Sequence, residues 1–193
     1  AETGINDAVV TANNALRQIA AINGQLQASG KTDASTAALL DQRDQYIDQL
    51  SELMDIRVVT NNLNQVTVFT NSGVQLVGTE AATLSFNPQG TMTPTTLYNT
   101  DPTKSNVGTI TINFPHGGSY DLVSTKSIRS GKIAAYLDLR DNTLVQAQAQ
   151  IDQFAASMAS ALSDKTTDGT AAPASALPAT GYDLDLTGLQ GGN

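Results

Sequence analysis

Between Asn6 and Ala28 the residues Val9, Ala12, Leu16, Ile19, Asn23 and Leu26 recur in alternating steps of three and four. That is the a/d seam of one helix face. Asn6 or Asp7 caps its start, and Gly30 ends the segment. Asn23 interrupts the apolar seam and Gly24 follows it, so the helix either uses a polar register mark there or frays. A second helix is expected from Ser35 to Asp55. Leu40, Arg43, Ile47, Leu50 and Met54 form its stripe, Leu39, Tyr46 and Leu53 widen it, and Asp41, Asp44, Asp48, Glu52 and Asp55 solvate the other face. A third runs from Gly131 to Ser163, capped by Ser130. Leu137, Arg140, Leu144, Ala147, Ile151, Phe154, Met158 and Ala161 keep the same steps throughout. At 1.5 Å per residue its roughly 33 residues span about 50 Å.

From Ile56 the period changes to two. Arg57–Thr60, Gln65–Thr70, Val74–Val77, Ala82–Phe86, Thr109–Phe114 and Ser119–Val123 read as strand segments. Asn61–Asn64, Asn71–Gly73 and Pro115–Gly118 read as turns. They predict an antiparallel sheet of about five strands with one face on the helices. Asn87 to Asn106, rich in Pro, Thr and Ser, reads as a long loop. Residues 164–180 read as a linker, and Tyr182–Gly188 as the first strand of a further domain. The expected fold class is α+β: an elongated antiparallel bundle of three heptad-patterned helices with an inserted small antiparallel β-domain. The expected organisation is bundle over 1–55, β-insert over 56–126, return helix over 127–163, and linker with the start of a further domain over 164–193. Both ends look cut from a longer protein.

One phrase occurs twice. Leu39-Leu40-Asp41-Gln42-Arg43-Asp44-Gln45 is echoed by Tyr136-Leu137-Asp138-Leu139-Arg140-Asp141-Asn142. In each copy an Arg falls on the apolar stripe, with Asp two residues before and one after. A buried, unpaired guanidinium is very costly, and its fork fits carboxylates in two-pronged fashion. Ion pairs among Asp41, Arg43, Asp44 and among Asp138, Arg140, Asp141 are therefore expected to fix where the helices cross. The alternative is that both Arg side chains snorkel outward along their stems.

Charge and composition narrow the function. The 193 residues carry 18 acidic and 10 basic side chains, a net charge of −8, with no Lys/Arg cluster. Such a chain repels phosphate backbones, which argues against nucleic acid as a partner. There is no cysteine, hence no disulfide, thiolate metal site or Cys nucleophile. No apolar run approaches the length of a membrane span. His116, the only histidine, sits at a predicted hairpin tip without a partner or pocket, and reads as an exposed turn residue rather than a general base. Asp183 and Asp185 lack the loop pattern of an EF-hand calcium site. The helical Asp pairs read as solvated faces, not as glycosidase carboxylates. No catalytic, cofactor-binding or metal residue is predicted, and no small-molecule substrate.

The sequence Leu39–Gln45 running into Ile47-Asp48-Gln49-Leu50-Ser51, followed by β-sequence, resembles the middle of the FlgK family of flagellar hook-associated proteins at the hook–filament junction. So does Leu137–Asn142 continuing through Gln146 to Ala155. The likeness covers roughly Asn6 to Ser163. In place of the family's frequent Gly-rich lead-in stands Ser130-Gly131-Lys132-Ile133-Ala134-Ala135. Leu144-Val145 stand where the family often has Pro. The resemblance implies a structural, non-enzymatic subunit of the bacterial flagellum, without cofactors. It would be exported through the flagellar channel, stand outside the cell, and join hook to filament by helix-face packing. Its implied partners are other copies of itself, the hook protein and the second junction protein, with no membrane among them.

Two other functions compete. A glycan- or receptor-binding β-module on a helical stalk, as in fibre proteins, needs an aromatic-lined pocket, for which Tyr98, Tyr120, Phe86 and Phe114 are the candidates. A glycosidase needs two carboxylates facing one cleft. If the chain is an assembly subunit, apolar surface is expected to remain uncovered on its helices.

Overall fold

The computed structural model describes residues 1–28, 34–88, 97–99, 101 and 104–163. Helix α1 (Glu2–Ala28) buries eleven of its side chains, and the apolar core forms against that face. Val9, Ala12, Leu16, Ile19, Asn23 and Leu26 are all buried, joined by Ile5, Ala8, Ala15 and Ile22. The helix starts a turn ahead of the expected Asn6, because fully buried Ile5 extends the apolar face and its N–H bonds the Ala1 carbonyl at 3.0 Å. It also continues through Gly24. Asn23 is held rather than frayed: its Nδ2 donates to the Val66 carbonyl (2.7 Å) and the Gly78 carbonyl (3.1 Å), and its Oδ1 accepts from the Val66 N–H (3.0 Å). A buried side-chain amide whose donors and acceptor are satisfied costs little.

Helix α2 (Ala34–Leu53) packs on α1 and contributes Leu50 and Leu53 to the core, followed by Met54. Then come β1 (Ile56–Thr60), β2 (Val66–Thr70) and β3 (Gln75–Val77). These pair antiparallel in the order β1-β2-β3, with Thr60 opposite Val66 across the first hairpin. The strands β4 (Thr83–Phe86), β5 (Ile110–Asn113) and β6 (Ser119–Asp121) form a second antiparallel sheet in the order β4-β5-β6.

The expected single sheet of about five strands is therefore two sheets of three. The division lies between β3 and β4. There the chain reverses through Gly78 and Glu80, the Ala82 N–H returns to the Leu76 carbonyl, and Val77 bridges Ala81. Three strands are the least that hold together, and only against another surface. Both sheets find it on the helices, since Val66, Val68, Leu76, Leu84, Ile110 and Ile112 share one apolar cluster with α1, α2 and Ile133.

The chain returns to the helices at α3 (Gly131–Asp138), which buries Ile133 and Leu137 and contacts both α1 and α2. Ser130 stands at the N-cap position but makes no side-chain cap bond. Instead Asp55 Oδ1 accepts the N–H groups of Arg129 (2.9 Å) and Ser130 (3.4 Å). Lys132 donates to Glu52 at 2.7 Å. That hydrogen bond, and then the Lys132 charge, hold the Glu52 carboxyl below its ordinary range. The pair thus contributes above the unfolded carboxyl's pKa and is lost as pH falls through the lowered folded value. Both groups are exposed, so salt screens the effect.

The third helix is not continuous α. Leu139–Thr143 is a π turn, after which α4 (Leu144–Ser163) resumes. The unbroken heptad spacing predicted no interruption. The turn falls on Arg140, a fully buried residue drawn toward partners far away in sequence.

The chain divides into two compact units, Ala1–Gln150 and Ile151–Asn193. The six strands among the described residues belong to the first. In the second, Ile151–Ser163 are described and helical. The linker expected from 164, Asp183 and Asp185, and much of the loop between Asn87 and Asn106 lie outside the described residues.

Gly131 has φ +89°, and a Cβ there would lie 2.6 Å from the Leu53 carbonyl carbon and oxygen. Both the left-handed backbone and this backbone-to-backbone approach require glycine. Gly131→Ala is expected to cost at least ~2 kcal/mol, measured as a lower urea midpoint with an unchanged m-value.

Candidate functional site

The two Arg residues of the repeated phrase occupy equivalent positions. On α2, Arg43 Nε and Nη2 both donate to Asp44 Oδ1 (3.0 and 2.8 Å), while Nη1 donates to the Asn64 carbonyl (2.7 Å). In the π turn, Arg140 Nε and Nη2 donate to Asp141 Oδ1 and Oδ2 (2.6 and 3.0 Å), while Nη1 donates to the Gly108 carbonyl (2.8 Å). In each copy the following Asp braces the fork and leaves Nη1 for a backbone oxygen. Asn64 lies two residues before β2 and Gly108 two residues before β5, and each of those strands is the middle one of its sheet. The repeated phrase thus performs the same operation twice, once per sheet.

The two sites differ in dryness. Arg140 is wholly buried, Asp141 is 13% exposed, and Glu2 at the start of α1, itself buried, comes within 3.5 Å of Arg140 Nη1. Arg43 is buried beside an Asp44 that is 60% exposed. Asp41 and Asp138 stay out of both clusters: Asp41 is exposed, and Asp138 accepts from Asn142 Nδ2 at 2.7 Å. The backbone passes close beside Gly108, where a Cβ would collide with the Asn87 carbonyl oxygen.

Several partners carried no signal in the sequence. Asn13 bonds the N–H and carbonyl of Leu84 (both 2.8 Å), as Asn23 does those of Val66. Asn13 lies beside the a/d seam rather than on it, so the spacing did not single it out. Glu2 precedes the expected helix start. Asn64 and Gly108 act through backbone atoms, which residue types do not reveal.

The remaining candidates are dispersed. His116 is exposed at the β5–β6 turn, with Nε2 3.6 Å from Glu80 Oε2. Phe86 and Phe114 pack against the core. Tyr98 lines a cavity of about 270 Å³ beside Thr109 and Asp121, and Tyr120 lines a separate one of about 430 Å³ beside His116. Phe114 lines that second cavity too, so two of the four rings share a cavity while Phe86 and Tyr98 lie apart from it. Burial raises the Tyr98 hydroxyl above its ordinary pKa, and the Asp121 and Asp141 carboxylates add to that. Among the described residues no group of three or more His, Asp or Glu is placed to hold a metal ion, and no helix is long and apolar enough to cross a membrane.

Apolar side chains are exposed on α4. Ile151, Phe154, Met158 and Leu162 are 61, 65, 48 and 83% exposed, at spacings of three, four and four that place them along one side of the helix. Asp152 is the sole charged residue of α4.

Residues 1–177 match the family model described as "Flagellar hook-associated protein FlgK helical domain". The fold is similar to that of the flagellar hook junction protein FlgK from Burkholderia pseudomallei, with a TM-score of 0.54 and 26% sequence identity over 72% of this chain and 24% of that one. The match thus spans about a quarter of that protein. No curated protein matches the chain.

Removing one partner of a buried charge cluster costs about 3–5 kcal/mol. A pair with an exposed member is worth up to about 1 kcal/mol, plus a similar amount for the lost carbonyl bond. Arg140→Met is therefore expected to lower stability by clearly more than Arg43→Met, as measured by urea unfolding of the two variants side by side.

Proposed function

Because the chain belongs to the family of flagellar hook-associated protein FlgK helical domains, we propose that it is part of a non-enzymatic subunit that joins hook to filament by packing helix faces between subunits. On this reading it is exported through the flagellar channel and stands outside the cell. Its neighbours are further copies of itself, the hook protein and the second junction protein. The bundle segments 1–55 and 127–163 form the packing scaffold, with 56–126 inserted as a β-domain, and the Arg43–Asp44 and Arg140–Asp141 pairs fix how helices and sheets meet.

The observation that carries the reading is the exposed side of α4. A helix with four large apolar residues open to solvent, and one charge in twenty residues, is poorly suited to remain alone in water. The acidic, cysteine-free composition suits an oxidising exterior, where free thiols are a liability. Two of the four candidate rings, Phe86 and Tyr98, lie apart from the cavity that Phe114 and Tyr120 share, which favours assembly over a glycan-binding module.

The test is association. Sedimentation equilibrium over micromolar to millimolar concentrations is expected to show concentration-dependent self-association. The triple variant Ile151→Gln, Phe154→Gln, Met158→Gln is expected to abolish it while leaving the unfolding midpoint of the Ala1–Gln150 unit unchanged. A strictly monomeric native chain over that range overturns the packing proposal.

A further inference from the structure

A helix-register conflict surrounds Arg140. The sequence from Ile133 through Leu137, Arg140, Leu144 and Ala147 steps by four, three, four and three, the pattern of an uninterrupted α-helical seam. The structure places a π turn within it, over Leu139–Thr143. One π turn accommodates one extra residue, which turns everything after it by about 100° relative to a plain α-helix. The burial pattern shows that turn. Ile133 and Leu137 are buried, but Leu144 is 48% exposed and Ala147 is exposed, while Val145 and Gln148, one residue further on in each case, are half-buried. The inward positions have moved on by one.

The turn is centred on the driest cluster in the described chain. Arg140 is held by Asp141 from its own turn, by the Gly108 carbonyl ahead of β5, and by Glu2 on α1. A guanidinium drawn to partners 32 and 138 residues away in the chain supplies a tertiary reason for a helix to take up a residue it would otherwise not accommodate. Arg43, whose fork has the same kind of partners, sits in plain α-helix. The phrase by itself therefore does not produce a π turn.

We propose that Leu139–Thr143 is a register switch: docking of Arg140 on the Gly108 carbonyl selects the π form, and release of Arg140 lets the helix close to continuous α, turning the stretch from Leu144 to Gln150 by about 100°. In the docked register Val145 and Gln148 face inward. In the released register Leu144 and Ala147 take their place, as the heptad spacing specifies. The switch couples the second sheet to the helix, because displacing the Gly108 carbonyl, which enters β5, changes which side chains the helix presents.

The native chain has no cysteine, so single reporters are unambiguous. Cysteines placed one at a time at 144, 145, 147 and 148 are labelled with a soluble maleimide under native conditions. In the native background, Val145→Cys and Gln148→Cys are expected to react several-fold more slowly than Leu144→Cys and Ala147→Cys. In Arg140→Met the order is expected to reverse.

Deleting Asn142 removes the extra residue while keeping the Arg140–Asp141 pair. In that background the native order is expected to persist and to be unaffected by Arg140→Met. An unchanged order in Arg140→Met, or a reversed order in the deletion variant, overturns the switch. If all four positions in Arg140→Met react uniformly fast, as in an unfolded chain, Asp141→Asn takes its place. That variant keeps the guanidinium but loosens its brace, and the same reversal is required of it.

Discussion

Backbone N–H and C=O groups at the ends of small sheets need partners once they are buried against helices, and in this protein helix-borne side chains supply them. Asn23 and Asn13 each take both backbone groups of one strand residue, Val66 and Leu84. Arg43 and Arg140 each take one carbonyl two residues ahead of a middle strand. These bonds tie each sheet to the helices that carry them, Asn23 and Arg43 to the first and Asn13 and Arg140 to the second. The apolar cluster supplies the bulk of the stabilisation but is non-directional, whereas the amide and guanidinium bonds are directional and specify one docking among many of similar burial.

The Arg-Asp phrase shows how one device can be used at two levels of burial. At Arg43 the bracing carboxylate stays in water, which limits both its cost and its strength. At Arg140 the brace is nearly dry and a second carboxylate, Glu2, approaches. Desolvation makes such a cluster costly to assemble and more costly to break. It is therefore less a source of stability than a constraint that the surrounding backbone must obey. On our proposal the π turn is the form that obedience takes, and the helix beyond it inherits a phase set by the second sheet.

The placement of apolar residues separates two roles within one chain. Along the inward face of α1 the apolar side chains are buried, in one cluster with residues of both sheets, α2 and α3, while Val10 on the outer face is exposed. On α4 none is buried. Among the described residues of this chain a buried core and an exposed apolar helix side thus occur together. The proposed assembly role rests on that contrast. In the β-insert, Phe86 packs on the core, Phe114 and Tyr120 line one cavity and Tyr98 lines another.

The spacing of residues alone determined the helices, the strands and most of the buried face of α1, because periodicity reports which side of an element meets the core. It also marked both Arg residues, since a charge on an apolar stripe demands a partner. Tertiary structure decided what spacing does not encode. Asp44 and Asp141 brace the forks, while Asp41 is exposed and Asp138 accepts from Asn142. The strands divide into two sheets because the chain reverses at Gly78 to Ala82, and no local pattern states which strands will be neighbours. The seam through Arg140 reads as continuous α-helix, yet it contains a π turn. On our proposal the physical reason is that the Arg140 fork reaches Gly108 and Glu2, and a pull exerted between residues distant along the chain leaves no period in the sequence between them.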